Sequence, residues 1–102
     1  MILYNITFQV ENSAAEAWLS FMKDDYLPLI HKTGYIESYK ILKLLNDEYA
    51  QGGTTYSVQL MVDNLDQLSN YRNLYEESLE VKLHQRFEGK FVYFKTWLEE
   101  IN

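Results

Sequence analysis

The sequence predicts an α+β domain in which two strand–helix–strand units share one antiparallel sheet. Three observations predict it. Period-two alternation of apolar and polar residues opens the chain and recurs over 54–62, and a third aromatic, β-branched segment spans 90–98. Helical stripes of apolar residues lie after the first and third of the strand segments. A turn from Asp47 to Gly53 joins residues 35–46 to residues 54–62 as a hairpin. The element order is therefore β-α-β-β-α-β over one domain, residues 1–102, with no repeat, linker or low-complexity stretch. This order is the ferredoxin-like arrangement: a four-stranded antiparallel sheet with two helices on one face, its first and third strands central.

The elements follow in order. Ile2, Tyr4, Ile6, Phe8 and Val10 alternate with Leu3, Asn5, Thr7 and Gln9, which gives a strand with one apolar side. Asn12-Ser13 ends it, and Ser13 with Glu16 has the spacing of a capping box for the first helix. Ala14, Ala17, Trp18, Phe21 and Met22 form the helix's apolar stripe. Pro28 lacks a backbone N–H and restricts Leu27, so the helix is expected to break or restart near 25–28, and Thr33-Gly34 closes the segment. Residues 35–46 read as the second strand, although their composition also fits a helix. In the third strand Tyr56, Val58, Leu60 and Val62 share one side, with Thr55, Ser57, Gln59 and Met61 on the other. Asp63-Asn64 caps the second helix, whose stripe is Leu65, Leu68, Tyr75, Leu79 and Leu83. Glu88-Gly89 makes the last turn before the fourth strand.

Composition narrows the function classes. A net charge of −6 disfavours nucleic acid and anionic membrane surfaces as partners. The chain has no cysteine, which excludes disulfides, thiolate metal sites and cysteine nucleophiles and fits a reducing compartment. The N-terminal residues have no basic stretch followed by an apolar run, and no segment approaches the ~20 apolar residues of a membrane span. A cytoplasmic protein is the expectation.

The side of the sheet away from the helices carries the functional argument. With the apolar sides of the first and third strands against the helices, Asn5, Thr7, Gln9, Thr55, Ser57 and Gln59 fall on the open side. In the fourth strand Val92, Phe94 and Leu98 suit the helix side, which sends Phe91, Tyr93, Lys95 and Trp97 to the open side. An exposed patch of three aromatic rings predicts a homodimer that covers them sheet against sheet. Asn5, Thr7, Gln59, Tyr93 and Lys95 would then line a cavity between subunits, suited to a small polar or anionic ligand. The alternative is a partly solvated sheet with scattered aromatics.

Other polar residues have plainer readings. Asp25 and Arg72 both fall on helical apolar stripes, and a buried charge needs a partner, so an Asp25–Arg72 ion pair is one expectation; Asp25 capping the turn at Pro28 is the other. His31 and His84 lie far apart, near the ends of the two helices, and make no metal-ligand spacing. Lys95 pairs with a carboxylate or anchors an anion. Gly52-Gly53 lacks the pattern of a phosphate loop, and no nucleophilic triad, metal set or cofactor motif is present.

Several stretches together resemble a small bacterial family of uncharacterised proteins with the dimeric α+β barrel fold. They are Tyr4-Asn5-Ile6-Thr7, Trp18 with Phe21-Met22, Leu27-Pro28, Thr33-Gly34, Gly53 through Gln59, Arg86-Phe87, Lys90-Phe91-Val92, Phe94 and Thr96. The resemblance implies the ferredoxin-like fold and pairing through open sheet faces, and it implies no established activity. Similar barrels include small monooxygenases, heme-degrading enzymes and muconolactone-isomerase-like enzymes. Several related families carry an acidic-His-x-Pro pattern where this chain reads Asp25-Tyr26-Leu27-Pro28, so the histidine is replaced by Tyr26. Three functions remain: a ligand-binding dimeric module, a cofactor-independent enzyme on small aromatic or lipophilic substrates, and a scaffold.

Overall fold

A computed structural model describes residues 1–46 and 52–102. Strand β1 (Ile2–Glu11) leads into α1 (Asn12–Phe21), a wide π turn at Met22–Tyr26 and α2 (Leu27–His31). Strands β2 (Ser38–Lys43) and β3 (Gly53–Val62) follow, then α3 (Leu65–Tyr71), a second π turn at Arg72–Glu76, α4 (Glu77–Arg86) and β4 (Phe91–Glu99). The sheet order is β2-β3-β1-β4, all neighbours antiparallel, so the first and third strands are central as the alternation predicts. The fold is ferredoxin-like. Most of the expected Asp47–Gly53 turn, residues 47–51, lies outside the described residues.

The apolar side of β1 is buried from Ile2 to Val10, and the matching side of β3 from Tyr56 to Val62. Trp18 reaches that surface from α1, Met22 from the π turn that follows it, and Leu79 and Leu83 from α4. Trp18 stacks on Tyr56 with centroids 4.9 Å apart and meets Phe8 at 5.1 Å. Among the described residues its indole N–H has no partner, and packing holds the ring.

The first helix start differs from expectation. Helix α1 begins at Asn12, one residue before Ser13, and no side chain caps it. The Ser13–Glu16 box is therefore inside the helix rather than at its end. The Asn64 cap forms as expected, its side chain accepting from the Gln67 backbone N–H at 2.9 Å. At the close of α2, Gly34 takes φ 86°, a conformation that suits glycine, and its N–H bonds to the His31 carbonyl.

The expected break near residues 25–28 is a π turn: the Leu27 N–H bonds back five residues to the Met22 carbonyl. A π turn holds one residue more than a regular turn, and this moves every later side chain round the helix. Tyr26 and Leu27 take the core position, and Asp25 is turned to solvent. The expected Asp25–Arg72 pair is therefore absent: Arg72 pairs with Glu76 at 3.2 Å. The capping alternative is absent too, since no side chain caps α2. The second π turn acts in the same way. It leaves Tyr75 partly exposed and puts Glu76 among the buried residues.

Strand β4 has the opposite facing to that expected. Register with β1 sets Phe91, Tyr93, Lys95 and Trp97 opposite Val10, Phe8, Ile6 and Tyr4, on the helix side. Val92, Phe94, Thr96 and Leu98 pair with Gln9, Thr7, Asn5 and Leu3 on the open side. Both sides of β4 are apolar, so alternation alone cannot orient it. The partner that Lys95 finds among the helices decides the matter.

Because Trp18 is fully buried, Trp18→Ala is expected to cost about 3 to 5 kcal/mol through lost transfer energy and cavity formation. Chemical denaturation measures this, and a loss below about 1 kcal/mol would show that the ring is not a core anchor.

Candidate functional site

Between β4 and α4 the helix side of the sheet holds a cluster of charged and phenolic side chains. Glu76 is its centre. Its carboxylate accepts from the Tyr4 hydroxyl at 2.6 Å, from the Lys95 ammonium at 2.9 Å and from Arg72 Nε at 3.2 Å. Lys95 also pairs with Glu80, which accepts a hydrogen bond from the Tyr93 hydroxyl at 3.2 Å. The Arg72 guanidinium lies over the Trp97 ring at 4.8 Å, and Trp97 meets Tyr4 edge-on. Two carboxylates face two cations, so burial of the charges is compensated. The π turn at Arg72–Glu76 brings Glu76 into this position, and the facing of β4 brings Lys95.

The electrostatics follow from this crowding. Burial holds the Tyr4 phenol well above its ordinary pKa, and its bond to Glu76 adds to the effect. Burial also raises Tyr26 and Tyr71, helped by nearby Glu80 and Glu76, and Tyr93 rises through burial and Glu80. For Lys95 burial works downward, but hydrogen bonds to Glu80 and Glu76 outweigh it and hold the ammonium above its ordinary value.

The open side is different in kind. The Asn5 amide donates to Thr7 at 3.1 Å and to Thr96 at 3.4 Å, its carbonyl accepts from Ser57, and the Gln59 amide donates to Ser57 at 3.3 Å. This uncharged strip is flanked by exposed Val92, Phe94 and Leu98 on β4, 65%, 61% and 53% accessible, and by Leu42 and Leu44. Among the described residues at open-side strand positions, Glu11 alone is acidic, and Lys90 pairs with it at 3.3 Å. Lys40 faces the same side, opposite Gln59.

The five residues expected to line one cavity are thus divided. Asn5, Thr7 and Gln59 share the open side. Tyr93 and Lys95 lie on the helix side, because Lys95 has Glu76 and Glu80 there. Lys95 therefore takes the carboxylate-paired reading, and the anion-anchor reading of the open face loses its cation. Sequence reasoning missed Glu76, which an unbroken helix places off the apolar stripe. His31 contacts the Glu37 carbonyl, and His84 stacks on Phe91. Among the described residues no group of acidic, His or Cys side chains could hold a metal ion, and no helix is long and apolar enough to cross a membrane.

A β2-β3-β1-β4 antiparallel sheet with helices on one side only defines a ferredoxin-like protein. The chain belongs to the family of the domain of unknown function DUF4286, which it matches over residues 1–101. No curated protein matches it. Solved structures share the fold at low identity. An ethyl tert-butyl ether d (ethd) family protein from Bacillus halodurans is 16% identical with TM-score 0.67, covering 99% of this chain and 100% of its own. A dimeric ferredoxin-like protein from an uncultured marine organism is 11% identical with TM-score 0.71, covering 100% and 96%. The hydroxynitrile lyase from Passiflora edulis is 15% identical with TM-score 0.61, covering 99% and 96%.

Two outcomes test the cluster. Glu76→Gln removes the charge shared by Tyr4, Lys95 and Arg72 and is expected to destabilise the fold by about 2 to 3 kcal/mol, below the usual cost of orphaning a buried ion because Lys95 keeps Glu80. Urea titration measures it, and a change within about 0.5 kcal/mol would show the network to be a surface feature. The second concerns pH. A group whose folded pKa is raised lends stability that is whole below its unfolded pKa and is lost as pH climbs through the folded one. Tyr4, Tyr26, Tyr71 and Lys95 are all raised. The melting temperature should therefore fall from about pH 10 upward. Phenolate absorbance followed on the same samples should show the buried tyrosines ionising only as the fold is lost; their ionisation in the still-folded chain would contradict the burial.

Proposed function

We propose that this chain is one domain, residues 1–102, that works in the cytoplasm as a homodimeric binding module, paired through its open sheet faces. The observation that carries the proposal is the exposed apolar border of Val92, Phe94, Leu98, Leu42 and Leu44 around an uncharged polar strip. Monomers rarely leave such a surface to water. Charge supports the same reading. Two copies that each carry −6 repel least where they meet on a face without unpaired carboxylates, and among the described strand residues this face is such a surface. The fold is shared with a protein described as a dimeric ferredoxin-like protein. The lack of cysteine supports a reducing compartment, and the acidic charge makes nucleic acid and anionic membranes poor partners.

Pairing buries the strip, and its hydrogen-bonding capacity must then be met. Gln59 keeps its side-chain carbonyl for an outside donor, and the Thr7 hydroxyl keeps its hydrogen for an outside acceptor. Asn5, Thr7 and Gln59 would hold a small polar ligand there, with apolar side chains as the walls.

Sedimentation at micromolar concentration is expected to give twice the 12.2 kDa chain mass, and Phe94→Asp, which places a carboxylate on each facing sheet, is expected to return the chain to a monomer. A wild-type monomer, or a Phe94→Asp dimer, would overturn the pairing. In crystals of the pair, a molecule bonded to Gln59 between the sheets is the expected result. Dry packing of the two faces would remove the ligand while leaving the dimer.

A further inference from the structure

On the helix side the cavity beside Tyr26 measures about 10 Å³, the size of one water. The open side carries a groove of about 390 Å³, within the range of small-molecule sites. Its floor is polar and comes from the central strands: Thr7, Gln9 and Thr55. Its rims are apolar and exposed: Leu44, bonded to the Thr55 carbonyl on one side, and Val92 and Phe94 of β4 on the other. Among the described residues no charged side chain lines it. The groove adjoins the Asn5–Ser57–Gln59 strip and shares Thr7 with it.

We propose that this groove binds a neutral molecule with an apolar body and a hydrogen-bond-accepting group, such as an aryl ketone. The proposal rests on the pairing of the open faces, which roofs the groove with the partner's sheet. The volume is far larger than one water, and waters between apolar rims are poorly bonded, so an apolar body that displaces them gains affinity. The floor specifies the polar group. Thr7 Oγ1 already accepts from the Asn5 amide at 3.1 Å, which leaves its O–H to donate. Gln9 lies two residues on, pointing the same way, and is exposed with no side-chain hydrogen bond among the described residues. Its amide can turn its N–H groups to the acceptor that Thr7 meets. A carboxylate would accept these bonds too, but no cation lines the groove, and an enclosed charge without a partner is costly. A hydrocarbon would leave the Thr7 hydroxyl unmet once pairing excludes water.

The probe is acetophenone, titrated against the wild-type chain by NMR and compared with ethylbenzene and benzoate, which keep the ring and change the group it carries. Saturable binding of acetophenone at millimolar concentration, with shifts at Thr7, Gln9 and Leu44, is the expected result. Ethylbenzene and benzoate should bind at least about 3-fold more weakly, as the loss of a hydrogen bond or the burial of a charge requires. Thr7→Val keeps the branched shape and removes the donor; it should weaken acetophenone by a similar factor and leave ethylbenzene unchanged. Absence of saturable binding, shifts confined to the helix side, equal affinity for ethylbenzene or benzoate, or unchanged acetophenone affinity in Thr7→Val would overturn the proposal. Sedimentation of the same samples separates it from the pairing. A dimer that does not bind acetophenone removes the ligand and leaves the pairing; a monomer that binds with the expected ranking removes the pairing and leaves the ligand. If Thr7→Val fails to fold, the ranking of the three probes on the wild-type chain decides the question alone.

Discussion

The Glu76 carboxylate is the constraint on which the arrangement of this protein depends. It is buried, and a buried carboxylate must be met by donors. Tyr4 from β1, Lys95 from β4 and Arg72 one turn earlier in its own helix meet it. The central strand, the edge strand and the second helix are thereby tied at one point. Hydrophobic burial would hold the helices to the sheet without this tie. It would not choose which side of β4 faces them, because Phe91, Tyr93 and Trp97 on one side are matched by Val92, Phe94 and Leu98 on the other.

The choice has consequences on both sides of the sheet. Toward the helices it places Lys95 between Glu76 and Glu80 and closes the small cavity beside Tyr26 with Tyr93 and His84. Away from the helices it leaves β4 presenting aliphatic and aromatic side chains beside the Asn5–Ser57–Gln59 strip. The charged groups of the strand are spent inside, so the outer face is left free of them and open to a second copy. The proposed dimer surface and the internal ion-pair network are in this sense two results of one register.

Much of the fold was legible because it rests on alternation. Ile2 through Val10 and Tyr56 through Val62 show their buried sides directly, Asn64 shows a helix start, and the βαββαβ order follows from them. The site was less legible, for a definite reason. A π turn adds one residue, and an unbroken helical period then assigns Asp25 and Tyr75 to the core where Tyr26 and Glu76 belong. Pro28 gave a sign of irregularity in the first helix; nothing comparable marks Arg72–Glu76 in the second. In β4 the sequence sets Val92, Phe94 and Leu98 against the helices and so directs Lys95 outward with Tyr93; Glu76, brought inside by the π turn, gives Lys95 its partner on the other side. The two π turns together account for the Arg72 partner, and the two apolar sides of β4 account for its facing and so for the division of the five expected site residues. Asn5, Thr7 and Gln59, which depend only on β1 and β3, lie on the face that alternation gives them.

The central claim is that Glu76 and Lys95 orient the edge strand through a direct interaction. A double-mutant cycle tests it, using Glu76→Gln, Lys95→Met and the double variant, with each stability taken from urea unfolding. Contact at 2.9 Å in a partly buried setting predicts that the double variant loses less stability than the two single losses summed, by a coupling of about 1 to 3 kcal/mol. Additive losses, agreeing within about 0.5 kcal/mol, would show that the two side chains act independently and would contradict the account.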